Sequence, residues 1–313
     1  MTIGIIIAVI GSLSFAAAAI LQSLGADKVA QRAAIREERR TAARAHPSLR
    51  STIATMLTAP FMVGFAFDIV GFVSTILAAR LIPLFLSQTI ISARLVATAL
   101  LAMLFLNVSL TRRDWIAGAV VIGSLVVLAI SAGREGLQHE SWIHWAVLVA
   151  GPAMVAFGLF LMRVLHRHIA VATGLIAGAV FGVMAIASRI IDGLSPFEAG
   201  TLFTDPALYA LVFSGLGGFY LFTVALQTGS VNGAAAALVV GQTVLPGAIG
   251  ILLLGDTTRD GWGPAAIVAF VAAVLGGVVL ASSGAVTAVE KGDAVNLPAG
   301  YGHTPHGHPR DAA

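Results

Sequence analysis

The sequence predicts an all-α polytopic membrane protein of about nine transmembrane helices. Composition is the first observation behind this. The 313 residues are 58% hydrophobic and 11% charged, whereas an ordinary soluble domain is about 25% charged. The second is a mean hydropathy of +0.94. The third is that apolar stretches of roughly 20 residues, the length that crosses a hydrocarbon core, recur along most of the chain.

The first stretch, residues 3–22, ends in small residues as a signal peptide does. It has no basic n-region and further spans follow, so it reads as a retained span. The segment 23–52 carries Lys28, Arg32, Arg36, Arg39, Arg40, Arg44 and Arg50 against Asp27, Glu37 and Glu38. The positive-inside rule makes it a cytoplasmic loop and places the N-terminus outside. Lys28, Arg32, Arg36, Arg40 and Arg44 recur every four residues. A helix would carry them as one drifting basic stripe able to lie on anionic headgroups; the plainer reading is a loop that sets topology.

The remaining spans are 60–81, 84–107, 114–132, 143–162, 169–188, 207–227, 233–254 and 263–283. With nine spans the orientation is self-consistent. Arg112, Arg113 and "RVLHRH" fall inside, the acidic-leaning "IIDGLSPFEAGTLFTDP" falls outside, and the C-terminus is cytoplasmic. The expected location is the plasma (inner) membrane. Trp115, Trp142, Trp145 and Trp262 stand near span ends, as interfacial anchors do. Gly174, Gly178 and Gly182 repeat every four residues and make one smooth helix face for close packing.

Residues 60–115 match 206–262 faintly but in order: Pro60 with Pro206, Phe67 with Phe213, Gly71 with Gly217, Ala79 with Ala225, and "RRDW" with "TRDGW". Because one copy starts inside and the other outside, the two units are inverted. Residues 16–30 and 156–170 also resemble each other. The chain thus divides into a first repeat of four spans (1–133), a second of five (134–285), and a polar tail (286–313) expected to be disordered.

The 4+5 layout, with "GFAFDIVGFVSTILAARLIPLFLSQ" leading into the third span and "LLLGDTTRDGW" closing the eighth, resembles the drug/metabolite transporter superfamily (EamA-like) over residues 3–285. The layout is most similar to the NIPA-like magnesium-transporter branch, in which a Gly-Glu pair precedes the turn into the third span. Here Gly71 is followed by Phe72. The resemblance implies two inverted units working by alternating access, with magnesium as cargo in that branch.

Arg94 sits inside "SQTIISARLVATALLAMLFL". A charge at bilayer depth costs about 2.5–3.5 kcal/mol on the lenient insertion scale, so it faces protein or a water-filled cavity and has a partner. Asp68 is the other charge well inside a span. Each is 13 residues from Leu81 on consecutive antiparallel helices, which places both at similar depth, roughly 20 Å from the turn. They are expected to pair, either structurally or with one partner released for substrate or a proton. In the eighth span, Pro246 cannot donate its N–H and crowds the carbonyl of Gln242, so a bend with a polar group at membrane depth is expected there. Gln88 contributes similarly near the outer end of the third span.

Other signals carry little chemistry. "HESWIH" (139–144) is one residue longer than a zinc-protease motif, so its histidines diverge by about 140° on a helix. "SGLGGF" lacks the lysine of a phosphate loop. His303, His306 and His308 belong to a polar tail, with weak metal binding as the alternative. The chain has no cysteine, which excludes disulfides and thiolate sites.

No catalytic constellation, resident metal, cofactor or nucleic-acid partner is expected. The expected function is secondary transport of a small anionic or zwitterionic metabolite, or a lipid-linked phosphate. Asp68, Arg94, Gln88, Gln242 and Pro246 are the candidate binding or coupling residues, between spans two, three, seven and eight. The alternatives are a divalent-cation transporter and a non-transporting membrane scaffold. Expected partners are the substrate, the bilayer and, as an open alternative, a second copy in a homodimer.

Overall fold

The computed structural model describes residues 1–37, 59–106, 109–136, 141–164, 169–194, 197–228 and 231–291. They form α1 (Thr2–Glu37), α2 (Ala59–Leu81), α3 (Leu84–Ser92), α4 (Arg94–Leu106), α5 (Arg112–Ser131), α6 (Ser141–Val164), α7 (Ile169–Ile190), α8 (Ala199–Thr204), α9 (Pro206–Thr228), α10 (Val231–Leu252), α11 (Gly263–Ala281) and α12 (Gly284–Lys291). Among the described residues there is no strand, only two isolated bridges, and nine segments are long and apolar enough to cross a membrane. The protein is an all-helical, multi-pass membrane bundle.

In two places the helices depart from the reading of the sequence. The third span is not one helix: α3 ends and α4 begins on either side of Ala93. The Ala93 N–H is shared between the carbonyls of Thr89 and Ile90, and Val96 bonds back to Ala93 over three residues. Ser87 and Thr89 return their hydroxyls to the carbonyls of Leu84 and Phe85, the kind of back-bonding that bends a helix. All nine residues of α3 are buried, and a span break at bilayer depth is tolerated only when enclosed in this way. The span with Pro246, by contrast, stays helical throughout.

At the C-terminal end, residues that begin the expected polar tail are helical. Ser283 accepts from the Val286 N–H, and α12 buries Val286 and Val289 against Ile20, Leu95, Val96 and Leu280. Alternation of apolar and polar residues over so short a stretch gave no span signal. Residues 292–313, with His303, His306 and His308, lie outside the described residues, as do Arg40 and Arg44 of the basic segment. Lys28, Arg32 and Arg36 lie on α1, which continues unbroken to Glu37.

Small residues set the packing. The main partners are α1 with α2, α7 with α9 and α10, and α5 with α11. Between α1 and α2, a Cβ on Gly4, Gly11, Gly64 or Gly71 would meet the other helix within 3 Å. Between α7 and α10, a Cβ on Gly174 or Gly178 would stand 2.5 or 2.2 Å from the carbonyl oxygens of Ala234 and Leu238. Gly241 faces Leu175 O in the same way, at 2.4 Å. Without a hydrophobic force between helices in lipid, this close backbone approach supplies the association energy. The outward faces carry exposed Ile, Val, Leu and Phe. All four tryptophans are also exposed, each at or next to the start of a helix.

Gly178→Ala places its methyl against a backbone carbonyl that cannot rotate away. Overpacking of this kind is expected to cost about 1–3 kcal/mol, seen as a lower Tm in detergent. Gly123→Ala, which meets nothing within 4 Å, should hold or slightly raise Tm; equal losses at both sites would remove the packing argument.

Candidate functional site: a cavity and a polar latch

The turn at Ile82 and Pro83, the segment 132–136, the end of α7 and the segment 253–259 lie at one end of the bundle, called here the turn end. Toward the opposite end is a cavity of about 190 Å³. Its polar lining is Gln22 on α1, Asp68 on α2, and Arg94 and Thr98 on α4; Leu238 and Val239 of α10 and Val286 and Val289 of α12 complete it.

Asp68 and Arg94, expected to share a depth, share this cavity. The Asp68 carboxylate accepts from Gln22 Nε2 and is near enough to Arg94 for their charges to attract. The Arg94 guanidinium lies over the Phe15 ring, 5.4 Å from its centroid, within cation–π range. Arg94 is also the first residue after the break at Ala93. The cavity therefore presents a cation and an anion, one amide, one hydroxyl and an aromatic face, in otherwise apolar walls.

Span seven, expected beside the site, is not among its walls, because α9 packs on the far side of α7. Span one and α12 stand there instead. Gln22 was visible as a lone amide near the end of the first span, but nothing in the spacing paired it with Asp68 across 46 residues.

The other predicted residues lie elsewhere. Gln242 donates to Ser92 Oγ at 3.4 Å, and Ser92 shares a 2.9 Å hydrogen bond with Thr243. This seam joins α10 to α3 at the break, between cavity and turn end. Pro246 packs its ring against Gly182 on α7 and lines no part of the cavity. Gln88 is buried, and its Nε2 has no partner among the described residues.

Two residues that the sequence reading passed over organise the turn end. Arg189, on the last turn of α7, donates through Nη1 to the carbonyls of Ala79 and Ile82. Its Nη2 donates to the Gly136 carbonyl and to Asp256 Oδ1, at 3.0 and 2.9 Å. Asp256 in turn accepts from Leu84 N at 2.6 Å and Gly136 N at 2.9 Å. Both side chains are nearly sealed, at 6% and 0% exposure. Burial pushes the Asp256 carboxyl above its ordinary range, against the pull of Arg189 and the two N–H groups. Beside this latch, Arg80 Nη1 donates to the Ile191 carbonyl. Arg189 fell one residue past the predicted sixth span and Asp256 two past the eighth, where charges look like ordinary loop residues.

His144, the last residue of "HESWIH", also lies at this end. It shares a 2.6 Å hydrogen bond with Asp205, and Asp192 lies close to both. Asp205 accepts as well from the N–H groups of Asp192 and Ala207; its oxygens are engaged in capping α9 and holding His144.

No family model matches the chain, and neither a curated protein nor a solved structure matches it.

Removing one member of a buried charge pair strands the other, at a cost of about 3–5 kcal/mol. Asp256→Ala is expected to lose that much in denaturant or thermal unfolding, while Asp260→Ala, on the exposed loop, should stay within about 0.5 kcal/mol of wild type.

Proposed function

We propose that the chain is a secondary transporter of a small anionic or zwitterionic metabolite, or of a lipid-linked phosphate whose headgroup enters the cavity. The observation that carries this reading is the cavity with Arg94 at the break of a span. A guanidinium offers a planar fork suited to carboxylate or phosphate, and an ionisable residue at that depth is a functional site by default. Asp68, held by Gln22, supplies the counter-charge in the empty site and a contact for a cationic group of a zwitterion. A divalent cation would want two or more carboxylates. Asp68 is the one carboxylate among the described residues lining the cavity.

An inverted repeat fits the packing as well as the faint sequence match. Exchanging spans one to four for spans six to nine maps α1–α2 contact onto α7–α9. It maps the contact of α1 with α3 and α4 onto that of α7 with α10, and leaves α3–α10 and α5–α11 paired as they are. Spans one and six cross in opposite senses, as inversion requires. Spans one and five run the same way, so the likeness of 16–30 to 156–170 lies outside this repeat. In the proposed orientation the turn end faces outward from the plasma membrane, the C-terminus is cytoplasmic, and alternating access exposes the cavity to either side in turn.

The test is a thermal-shift screen of purified protein, wild type beside Arg94→Ala, against organic anions, amino acids, amines, isoprenyl phosphates and Mg²⁺. A ligand of the folded state raises Tm by mass action; about 1.4 kcal/mol is expected at tenfold excess over Kd. An anion or zwitterion whose stabilisation disappears in Arg94→Ala supports the carrier. Stabilisation by Mg²⁺ alone points to a cation transporter, and none by any compound points to a scaffold.

A further inference from the structure

We infer that the Arg189–Asp256 network, with the Arg80 tie beside it, is the gate that closes the cavity from the turn end. The inference rests on the carrier reading and adds the element that would control access to its site.

Four polar ties at this end cross from one proposed repeat to the other, while the Arg189–Asp256 pair itself and His144–Asp205 lie within the second. Arg189, at the end of α7, holds the carbonyls of Ala79 and Ile82 at the end of α2. Asp256, after α10, holds the N–H of Leu84 at the start of α3. Arg80 on α2 holds Ile191 after α7. Gly136, in the connection between the two sets of spans, is gripped through both its carbonyl and its N–H. Beneath the latch, the Ser92–Thr243–Gln242 seam crosses between the same two bodies, and the cavity lies below it.

The chemistry of these ties suits a closure that must reopen. Each joins a charged or hydroxyl group to a partner that water can replace at the end of the spans, so opening exchanges hydrogen bonds instead of losing them. Glycine-backed contacts such as Gly178 on Leu238 have no such substitute. The Gly178 contact lies within one body, α7 with α10. The same holds for Gly71 on Phe15, within α1 and α2. Glycine-backed contacts also cross between the bodies, as Gly276 of α11 on Val121 and Ala117 of α5 and Gly133 on Thr257; what the polar ties add at the turn end is a closure whose partners water can replace.

The absence of cysteine from the 313 residues makes the gate directly testable in the intact chain. Thr243→Cys, in the buried seam, is labelled with a membrane-impermeant maleimide added on the turn-end side. Gly200→Cys, exposed with open space around it, identifies that side by reacting freely. Thr243→Cys should react slowly with the latch intact and about tenfold or more faster in Arg189→Gln or Asp256→Asn, as the open population rises. Arg80→Gln removes only a half-buried tie and serves as the milder variant, with a rise of about threefold expected.

Folded latch variants with an unchanged labelling rate overturn the gate. Misfolded Arg189 and Asp256 variants together with an unchanged rate in Arg80→Gln make the network a structural staple, and overturn it equally. Arg94-dependent ligand stabilisation, measured with the latch intact, reads the carrier separately. If it is present while labelling never rises, the gate alone fails; if labelling rises and no compound binds through Arg94, the carrier reading fails.

Discussion

In hydrocarbon a polar group has no water to turn to, and the main departures of this chain from a plain apolar helix are answered inside the bundle, Gln88 Nε2 being an exception. The break at Ala93 follows the nine buried residues of α3, and the Ala93 N–H is shared by two carbonyls. Asp68 has Gln22 and the nearby Arg94. Arg189 has three carbonyls and a carboxylate. The positions of cavity, seam and latch follow from where the chain could supply such partners.

The arginines at the latch and in the cavity show how depth and partner decide role. Arg189 is held by acceptors that are mostly backbone and by a carboxylate that itself takes two N–H groups. Its planar fork is matched by fixed oxygens, which gives geometric specificity as well as energy. Arg94 lies over an aromatic ring and beside a carboxylate that an amide already holds, and its surroundings leave about 190 Å³ of space. One guanidinium is enclosed by the fold and the other faces a volume that a solute could fill.

Much of the architecture was legible because the membrane imposes a length and a composition on each span. All nine span predictions correspond to helices within a few residues, and the glycine face at 174, 178 and 182 does meet another backbone closely. The depth argument brought Asp68 and Arg94 to one cavity. What could not be read was long-range partnership. Gln22 finds Asp68, and Arg189 finds Asp256 across 67 residues, through helix packing that no local period encodes. Ahead of the break at Ala93 stand Ser87 and Thr89, whose hydroxyls bond back to backbone carbonyls, and Ser92, whose hydroxyl bonds Thr243 instead. Pro246 gave the louder signal of irregularity, and its span remained helical.

Stiffness is unevenly distributed through this bundle, and its distribution constrains any motion. Helix pairs joined through glycines pack closely, α1 with α2 mainly through side chains seated on the glycines and α7 with α10 backbone to backbone, where sliding drives a carbonyl into a neighbouring Cα. Such pairs move as bodies. Between the bodies the joints are mixed: close packing of α5 on α11 at Gly276, three hydroxyl or amide groups at the level of the span break, and charged groups at the turn end. The break interrupts α3–α4 at the depth of the seam, so α3 can tilt with the turn it follows without dragging α4 and Arg94. A rearrangement at the turn end is therefore absorbed at Ala93 on one side of the seam, and on the other side α10, helical through Pro246, carries it to the cavity wall at Leu238 and Val239.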